Sequence, residues 1–296
     1  MNVGIIGAPM DLGADRRGVD MGPSAIRYAG LEPRLRLIGD STRDFGNVPV
    51  PLPETTPETS SHLKYLQPIL DVSEQLEAVV SEAIGTDYFP LVLGGDHSVS
   101  LGSVTGVAKE RRIGIVWVDA HGDYNTAKTS PSGNIHGMVL AALAGQGDER
   151  LVNIGGFAPK AKPQNIAMIG VRELDVGERA LLRETGVNVF TMHDIDRLGL
   201  ADVVGLAVER ASHGVDGIHL SLDLDVVDPL QAPGVGTPVP GGLNYRETHL
   251  AMELLAESKQ LVSMDVVEVN PILDTHNRTG ELAVQFVLSA LGKRIL

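Results

Sequence analysis

The sequence predicts an α/β fold: a three-layer α/β/α arrangement around a mainly parallel sheet of about eight strands. Three observations carry this expectation. Short apolar runs alternate with longer segments whose apolar residues recur at helical spacing. Several of the short runs are apolar throughout, as strands covered on both faces must be. Acidic and imidazole side chains gather just past the ends of those runs, where parallel sheets bind ligands. No stretch of the 296 residues separates two self-sufficient halves, so residues 1–296 read as a single domain.

In chain order, the expected strands are Val3–Gly7, Arg34–Ile38, Pro90–Leu93, Ile113–Val118, Ile166–Val171, Val187–Thr191, Gly217–Leu224 and Leu261–Val269. Gly22-Pro-Ser24 reads as a helix start, with proline in the first turn. Ile69, Val72, Leu76, Val79, Val80 and Ala83 predict a helix over roughly Leu66–Ile84. Ser98 is the expected N-cap of a helix carrying Leu101, Val104 and Val107. Leu250, Ala251, Leu254 and Leu255 mark another, and a last helix begins near Thr279 and carries Leu282, Phe286 and Leu291. The Pro- and Thr-rich stretch Asn47–Ser61 and the Gly-, Pro- and Lys-rich stretch Gly145–Gln164 read as loops.

Composition narrows the function. The formal net charge of −14 argues against a nucleic-acid partner, which calls for a basic patch. The simplest reading of that charge is solubility, with a weak pull on a cationic substrate as the sharper one. There is no cysteine, so thiolate metal sites and cysteine nucleophiles are excluded and any metal must be held by His, Asp and Glu. The apolar N-terminus lacks a basic flank and meets Asp11 and Asp15 early, unlike a signal peptide. No apolar run approaches the ~20 residues of a membrane span. A cytoplasmic protein with no membrane partner is expected.

Three motifs carry the chemistry. Asp119-Ala-His-Gly-Asp123 follows the apolar run ending at Val118, and alternation in extended backbone lets Asp119, His121 and Asp123 share a side. Gly94-Gly-Asp-His-Ser98 offers His97 just past its own strand; Asp96 either ligates or only orients the loop. Ser221-Leu-Asp-Leu-Asp225 places Asp223 and Asp225 in so apolar a run that burying both charges without cations is costly, while Asp228, beside Pro229, suits a turn. Four carboxylates and two imidazoles match two divalent cations. Oxygen-rich ligation with some imidazole suits Mn²⁺, with Co²⁺, Fe²⁺ or Zn²⁺ as alternatives.

With Gly18–Arg27, Ala232–Pro238 and Val267-Glu-Val-Asn-Pro271, these motifs cover nearly the whole chain, and as a set they closely resemble the ureohydrolase family, its bacterial arginase branch in particular. The resemblance implies hydrolysis of L-arginine to L-ornithine and urea by a hydroxide bridging two manganese ions. It carries over His97, Asp119, His121, Asp123, Asp223 and Asp225 as ligands, with Asp119 and Asp225 each bridging the pair. It gives Asn125, Ser130 and Ser132 to the substrate α-carboxylate and Glu268 to the guanidinium, while Asn134 reads as a supporting contact or a turn residue. Asp175 matches the position that contacts the α-amino group, though it equally suits a helix start. His136 is the implied proton shuttle, its imidazole titrating near neutral pH. Asp123 is the expected carrier of the nucleophile's proton to the leaving nitrogen. His62, His213 and His249 lack motif context and read as structural or exposed. A homo-oligomer, trimer or hexamer, is also implied.

Rival readings are an agmatine-type ureohydrolase, a binuclear phosphoesterase and a non-catalytic metal-binding protein. Agmatine has no carboxylate for Asn125, Ser130 and Ser132 to meet. The Gly-Asn-His-Asp/Glu element of the phosphoesterases is not found. A protein freed from catalysis could lose Glu268 or His136, and both are present.

Overall fold

A computed structural model describes residues 1–294. Eight strands form one sheet: β1 (Asn2–Ala8), β2 (Ser41–Asn47), β3 (Phe89–Gly94), β4 (Ile113–Val118), β5 (Ile166–Val171), β6 (Asn188–Thr191), β7 (Gly217–Asp223) and β8 (Leu261–Val267). Their spatial order is β2-β1-β3-β8-β7-β4-β5-β6, and every pairing is parallel. The helices are α1 (Gly22–Tyr28), α2 (Leu31–Leu37), α3 (Leu66–Gly85), α4 (Ser100–Glu110), α5 (Val139–Leu143), α6 (Glu149–Val152), α7 (Val176–Thr185), α8 (Met192–Leu198), α9 (Leu200–Ala211), α10 (Tyr245–Glu257) and α11 (Arg278–Ala290).

Alternation along each strand divides the core. Ile5, Leu91, Leu93, Val116 and Val118 pack with residues of α2, α9, α10 and α11 on one face. Ile6, Val92, Ile115 and Trp117 pack with α3, α4 and α5 on the other. All six residues of β4 are buried, and each full burial of a large aliphatic side chain contributes ~1.5–3 kcal/mol. Helices α3 and α4 lie close because α4 presents glycines: a methyl on Gly102 would stand 2.6 Å from the Ser73 carbonyl.

All but one of the expected strands occur within two residues of their expected bounds. The exception is Arg34–Ile38, which belongs to helix α2. The Arg-Leu-Arg-Leu alternation imitates a strand, but Leu31 and Leu35, four apart, are what the fold buries. The strand in that region is β2, a polar edge strand with no apolar run to betray it. Ser98 is not the N-cap expected of it: the Asp96 side chain accepts from the Ser98 amide, and α4 begins only at Ser100. The expected loop at 145–164 also contains the short helix α6. Among the described residues, no helix is long and apolar enough to cross a membrane.

Candidate metal centre

The four central strands β3, β8, β7 and β4 are consecutive neighbours, and each delivers side chains at its carboxyl end. His97 follows β3, Asp119 to Asp123 follow β4, Asp223 and Asp225 end β7, and Glu268 follows β8. Such a sheet end collects residues distant in sequence on one surface. Glycine at 95 lets the His97 loop cross the β1 side, since a methyl there would overlap the Met10 carbonyl. Asp96 is a loop clamp: it accepts from Gly13 N at 2.7 Å and from the amide and hydroxyl of Ser98.

Two ligand groups emerge, His97–Asp119–Asp223 and Asp119–His121–Asp225, sharing Asp119. Asp119 Oδ2 lies 3.2 Å from His97 Nδ1, and Oδ1 lies 3.5 Å from His121 Nδ1. Each imidazole has its own further carboxylates. Asp223 Oδ2 is 3.1 Å and Asp123 Oδ2 3.0 Å from His97 Nδ1, and Asp225 Oδ2 is 2.9 Å from His121 Nδ1. Backbone and indole donors aim these groups. Trp117 Nε1 donates to Asp119 Oδ2, Ala120 N to Asp225 Oδ1, and Asp225 N to Asp223 Oδ1. Trp117 also stacks on the His97 ring at 4.0 Å.

The electrostatics are those of a cation site. Burial, then Asp225 and Asp119, push the Asp223 carboxyl well above its ordinary range. Burial and Asp119 push Asp123 up to about 6. Against burial, His121 and His97 hold Asp119 far below the usual carboxylate range. Against burial too, the surrounding carboxylates raise both imidazoles. His97 Nδ1 and Asp123 Oδ2 are buried, close together and yet without a hydrogen-bond partner. Groups so placed fit divalent cations, because burying unpaired polar atoms otherwise costs free energy.

Beside the cluster lies a cavity of about 150 Å³, lined by His121, Asp123, Asp225, Asn125, Ser130, Ser132, His136, Asp175, Glu178 and Thr237, among others. A larger hollow of about 730 Å³ along β6 and α7 contains none of the expected site residues. Asn125 donates to Asp175 Oδ2 at 2.8 Å. Asp175 also caps α7, as its helix-start reading expects. Ser130 and Ser132 accept from the Gly133 and Asn134 amides. Asn134 is buried and offers its backbone amide to this loop rather than its side chain.

Glu268 accepts from His97 N at 3.0 Å through Oε1, which lies 3.2 Å from His136 Nδ1. Against burial, the His136 contact lowers Glu268, and Glu268 in turn raises His136 to about 9. Asp123 and Glu268 both have left-handed backbone, with φ of 48° and 64°. Non-glycine residues in that region cost of order 1–3 kcal/mol and cluster at functional sites. His249 stands apart from the site, its Nδ1 2.8 Å from Ser289 Oγ.

Sequence reasoning missed three contributors. Glu178, buried and pushed up to about 7 by its burial, accepts from Tyr124 N and Asp175 N and so ties the Asn125 loop to α7. His219 and Asp265 are buried behind His97. Their signal was the alternation of His219, Ser221 and Asp223 in β7 and of Ser263 and Asp265 in β8, polar residues every second position in otherwise apolar strands.

Comparison with known proteins agrees with this geometry. A sequence model described as "Arginase family" matches residues 1–292. The arginase of Brevibacillus brevis is 55% identical, the match covering 100% of this chain and 99% of that protein. A crystal structure of Bacillus caldovelox arginase superposes with a TM-score of 0.96 at 51% identity, covering 100% of this chain and 99% of that one. One of Bacillus subtilis arginase gives 0.94 at 52% identity, with 100% and 99% covered.

Proposed function

The chain belongs to the arginase family, and from that membership we propose that it hydrolyses L-arginine to L-ornithine and urea, using two Mn²⁺ held by His97, Asp119, His121, Asp123, Asp223 and Asp225. The observation that carries this reading is Asp119, which turns one oxygen to each imidazole, each imidazole having further carboxylate of its own. Asp225, facing His121, would join it and Asp119 in holding one of the ions.

Bound divalent cations supply Lewis-acid charge that lowers the pKa of water and so provides a nucleophile near neutral pH. The protein's own groups then do the positioning. Glu268 is anchored through Oε1, and no hydrogen bond among the described residues engages Oε2, which is left to accept from the guanidinium. Fixing the guanidinium carbon in this way removes rotational freedom before reaction. Asp123 Oδ2, without a hydrogen-bond partner, takes the nucleophile's proton and returns it to the leaving nitrogen. His136, its side chain 19% exposed, moves protons between the site and solvent.

Specificity resides in the loop from Asn125 to His136. Ser130 and Ser132 each accept from a backbone amide and lie 3.4 Å apart at Oγ, so at least one hydroxyl proton of the pair is left for an α-carboxylate. Asn125 keeps a second amide proton beyond the one given to Asp175. The Asp175 carboxylate beside them suits an α-ammonium group. We further propose a cytoplasmic homotrimer or hexamer, which sedimentation velocity would read. The decisive assay loads purified protein with Mn²⁺ and measures urea from L-arginine and agmatine. Sites built to hydrogen-bond a missing group discriminate by roughly 10⁴-fold, and L-arginine should be preferred on that scale. Preference for agmatine would overturn the substrate assignment.

A further inference from the structure

One buried polar network has no part in the proposed reaction. On the side of His97 away from the carboxylates, Nε2 lies 2.8 Å from Ser221 Oγ. Ser221 Oγ donates to Asp265 Oδ1 at 2.6 Å. Asp265 Oδ2 accepts the hydroxyls of Ser100 and Ser103 from α4 and lies 3.1 Å from His219 Nε2. His219 Nδ1 lies 2.8 Å from Ser263 Oγ. Strand register holds the set together, with His219 opposite Ser263 and Ser221 opposite Asp265. All of these side chains are buried. An ionised carboxylate in a sheet interior is expensive unless fully hydrogen-bonded, and this one is surrounded by donors.

The protons can be assigned by counting. A serine hydroxyl carries one hydrogen. Ser221 gives that hydrogen to Asp265, so toward His97 it can only accept. His97 Nε2 therefore bears the N–H. A neutral imidazole has a single N–H, which leaves Nδ1 as a bare lone pair. Nδ1 is the atom that faces Asp119, Asp123 and Asp223.

We propose that Asp265, acting through Ser221, is a positioning residue that locks His97 in the Nε2–H tautomer and so presents Nδ1 to one of the two cations. The proposal rests on the cluster being a metal centre. Histidine ligands are commonly oriented by an acceptor on their second nitrogen, and here a hydroxyl stands between that nitrogen and the carboxylate. The arrangement is one-sided. Among the described residues, His121 has no hydrogen bond on its Nε2, and its side chain is 25% exposed against 1% for His97. The His97 half of the centre is thus rigidly aimed, and the His121 half is not. Held low against burial by His219, Asp265 has a pKa of about 2 and keeps the acceptor role the count requires.

The test strips wild type, Ser221→Ala, Ser221→Thr and Asp265→Asn of metal, reloads them with Mn²⁺, and measures stoichiometry and stepwise affinity by chelator competition. Melting of the metal-free proteins is followed in parallel. Loss of the orienting partner should weaken one ion by roughly 10- to 100-fold in Ser221→Ala and Asp265→Asn. The other ion should keep its affinity, and Ser221→Thr, which retains the hydroxyl, should bind as wild type. Wild-type affinity for both ions in Ser221→Ala overturns the proposal. So does equal weakening of both ions in step with a lower metal-free melting temperature, which marks a merely structural role. If Asp265→Asn or Ser221→Thr fails to fold, Ser221→Ala alone decides. Should wild type itself bind no pair of ions, the metal-centre reading falls first; unchanged variants beside a two-ion wild type refute only the relay.

Discussion

Replacing Asp119 by Asn removes the one carboxylate common to both ligand groups, whereas Asp223→Asn touches only the His97 group. Bound ions stabilise the folded state by mass action, each adding ~2.7 kcal/mol when free metal is a hundredfold above its Kd. Unfolding entropy of ~2.1 cal/mol/K per residue over 296 residues amounts to ~0.6 kcal/mol/K. Two ions therefore raise the melting temperature by ~9 °C and one by ~4 °C. Wild type should show the full rise with Mn²⁺, Asp223→Asn about half of it, and Asp119→Asn almost none. Without metal the signs part. Burial, Asp225 and Asp119 all disfavour the charged form of Asp223, so its neutral replacement should leave melting unchanged or raise it. Asp119 is held ionised by His121 and His97, so its replacement should lower melting. Scanning fluorimetry with Mn²⁺ and with chelator reads both comparisons, and elemental analysis counts the ions. A full Mn²⁺ shift in Asp119→Asn, or complete loss of the shift in Asp223→Asn, would refute the shared-ligand geometry.

Four further outcomes are expected. Glu268→Gln should bind Mn²⁺ as wild type but lose roughly 10²-fold or more in kcat, since it misplaces the guanidinium rather than the cations; His136→Asn should likewise keep metal and turn over slowly, and full activity at neutral pH would dismiss the shuttle. Gly95→Ala should cost at least ~1–3 kcal/mol and lower metal affinity, because the new methyl meets the Met10 carbonyl and displaces the His97 loop; urea titration measures the first effect. Lys160, whose ammonium donates to the Val152 and Phe157 carbonyls, is lowered from 10.5 to about 8 by burial. Between those values the unfolded chain binds the extra proton, so stability contributed by this site should rise with pH from about 8 to ~10.5, by roughly 3 kcal/mol in all. Lys160→Met should abolish that slope in urea melts at pH 8 and pH 10.

Why some of this was legible in the sequence and some was not has a physical answer. Central strands such as Ile113–Val118 announce themselves because both faces are covered and the run is apolar throughout. The candidate ligands announce themselves because charge directly after such a run has few structural uses. Strand β2 has neither signal: at the sheet edge it can be Ser, Thr, Arg and Asp, and its identity comes only from pairing with β1. Arg34–Ile38 misleads because alternation over five residues is too short to separate a strand from one and a half helical turns. Glu178 and Asp265 were hidden for another reason. Each acts on a partner far along the chain, and a lone carboxylate in a helix or strand says nothing about what will face it.

Strand β8 is the last to leave the ribosome, yet it lies in the middle of the sheet, between β3 and β7. Until it inserts, β3 and β7 each present an unpaired edge, and such edges invite pairing with other chains. Insertion must close separations such as the 171 residues between His97 and Glu268, contacts that slow folding because chain entropy is lost before they form. Nascent chains are thus exposed to aggregation from the emergence of β3 until β8 inserts, and chaperone demand should be greatest just before β8 emerges. The same topology ties activity to the insertion of β8, since no N-terminal fragment that ends before β8 can set His97 against Glu268.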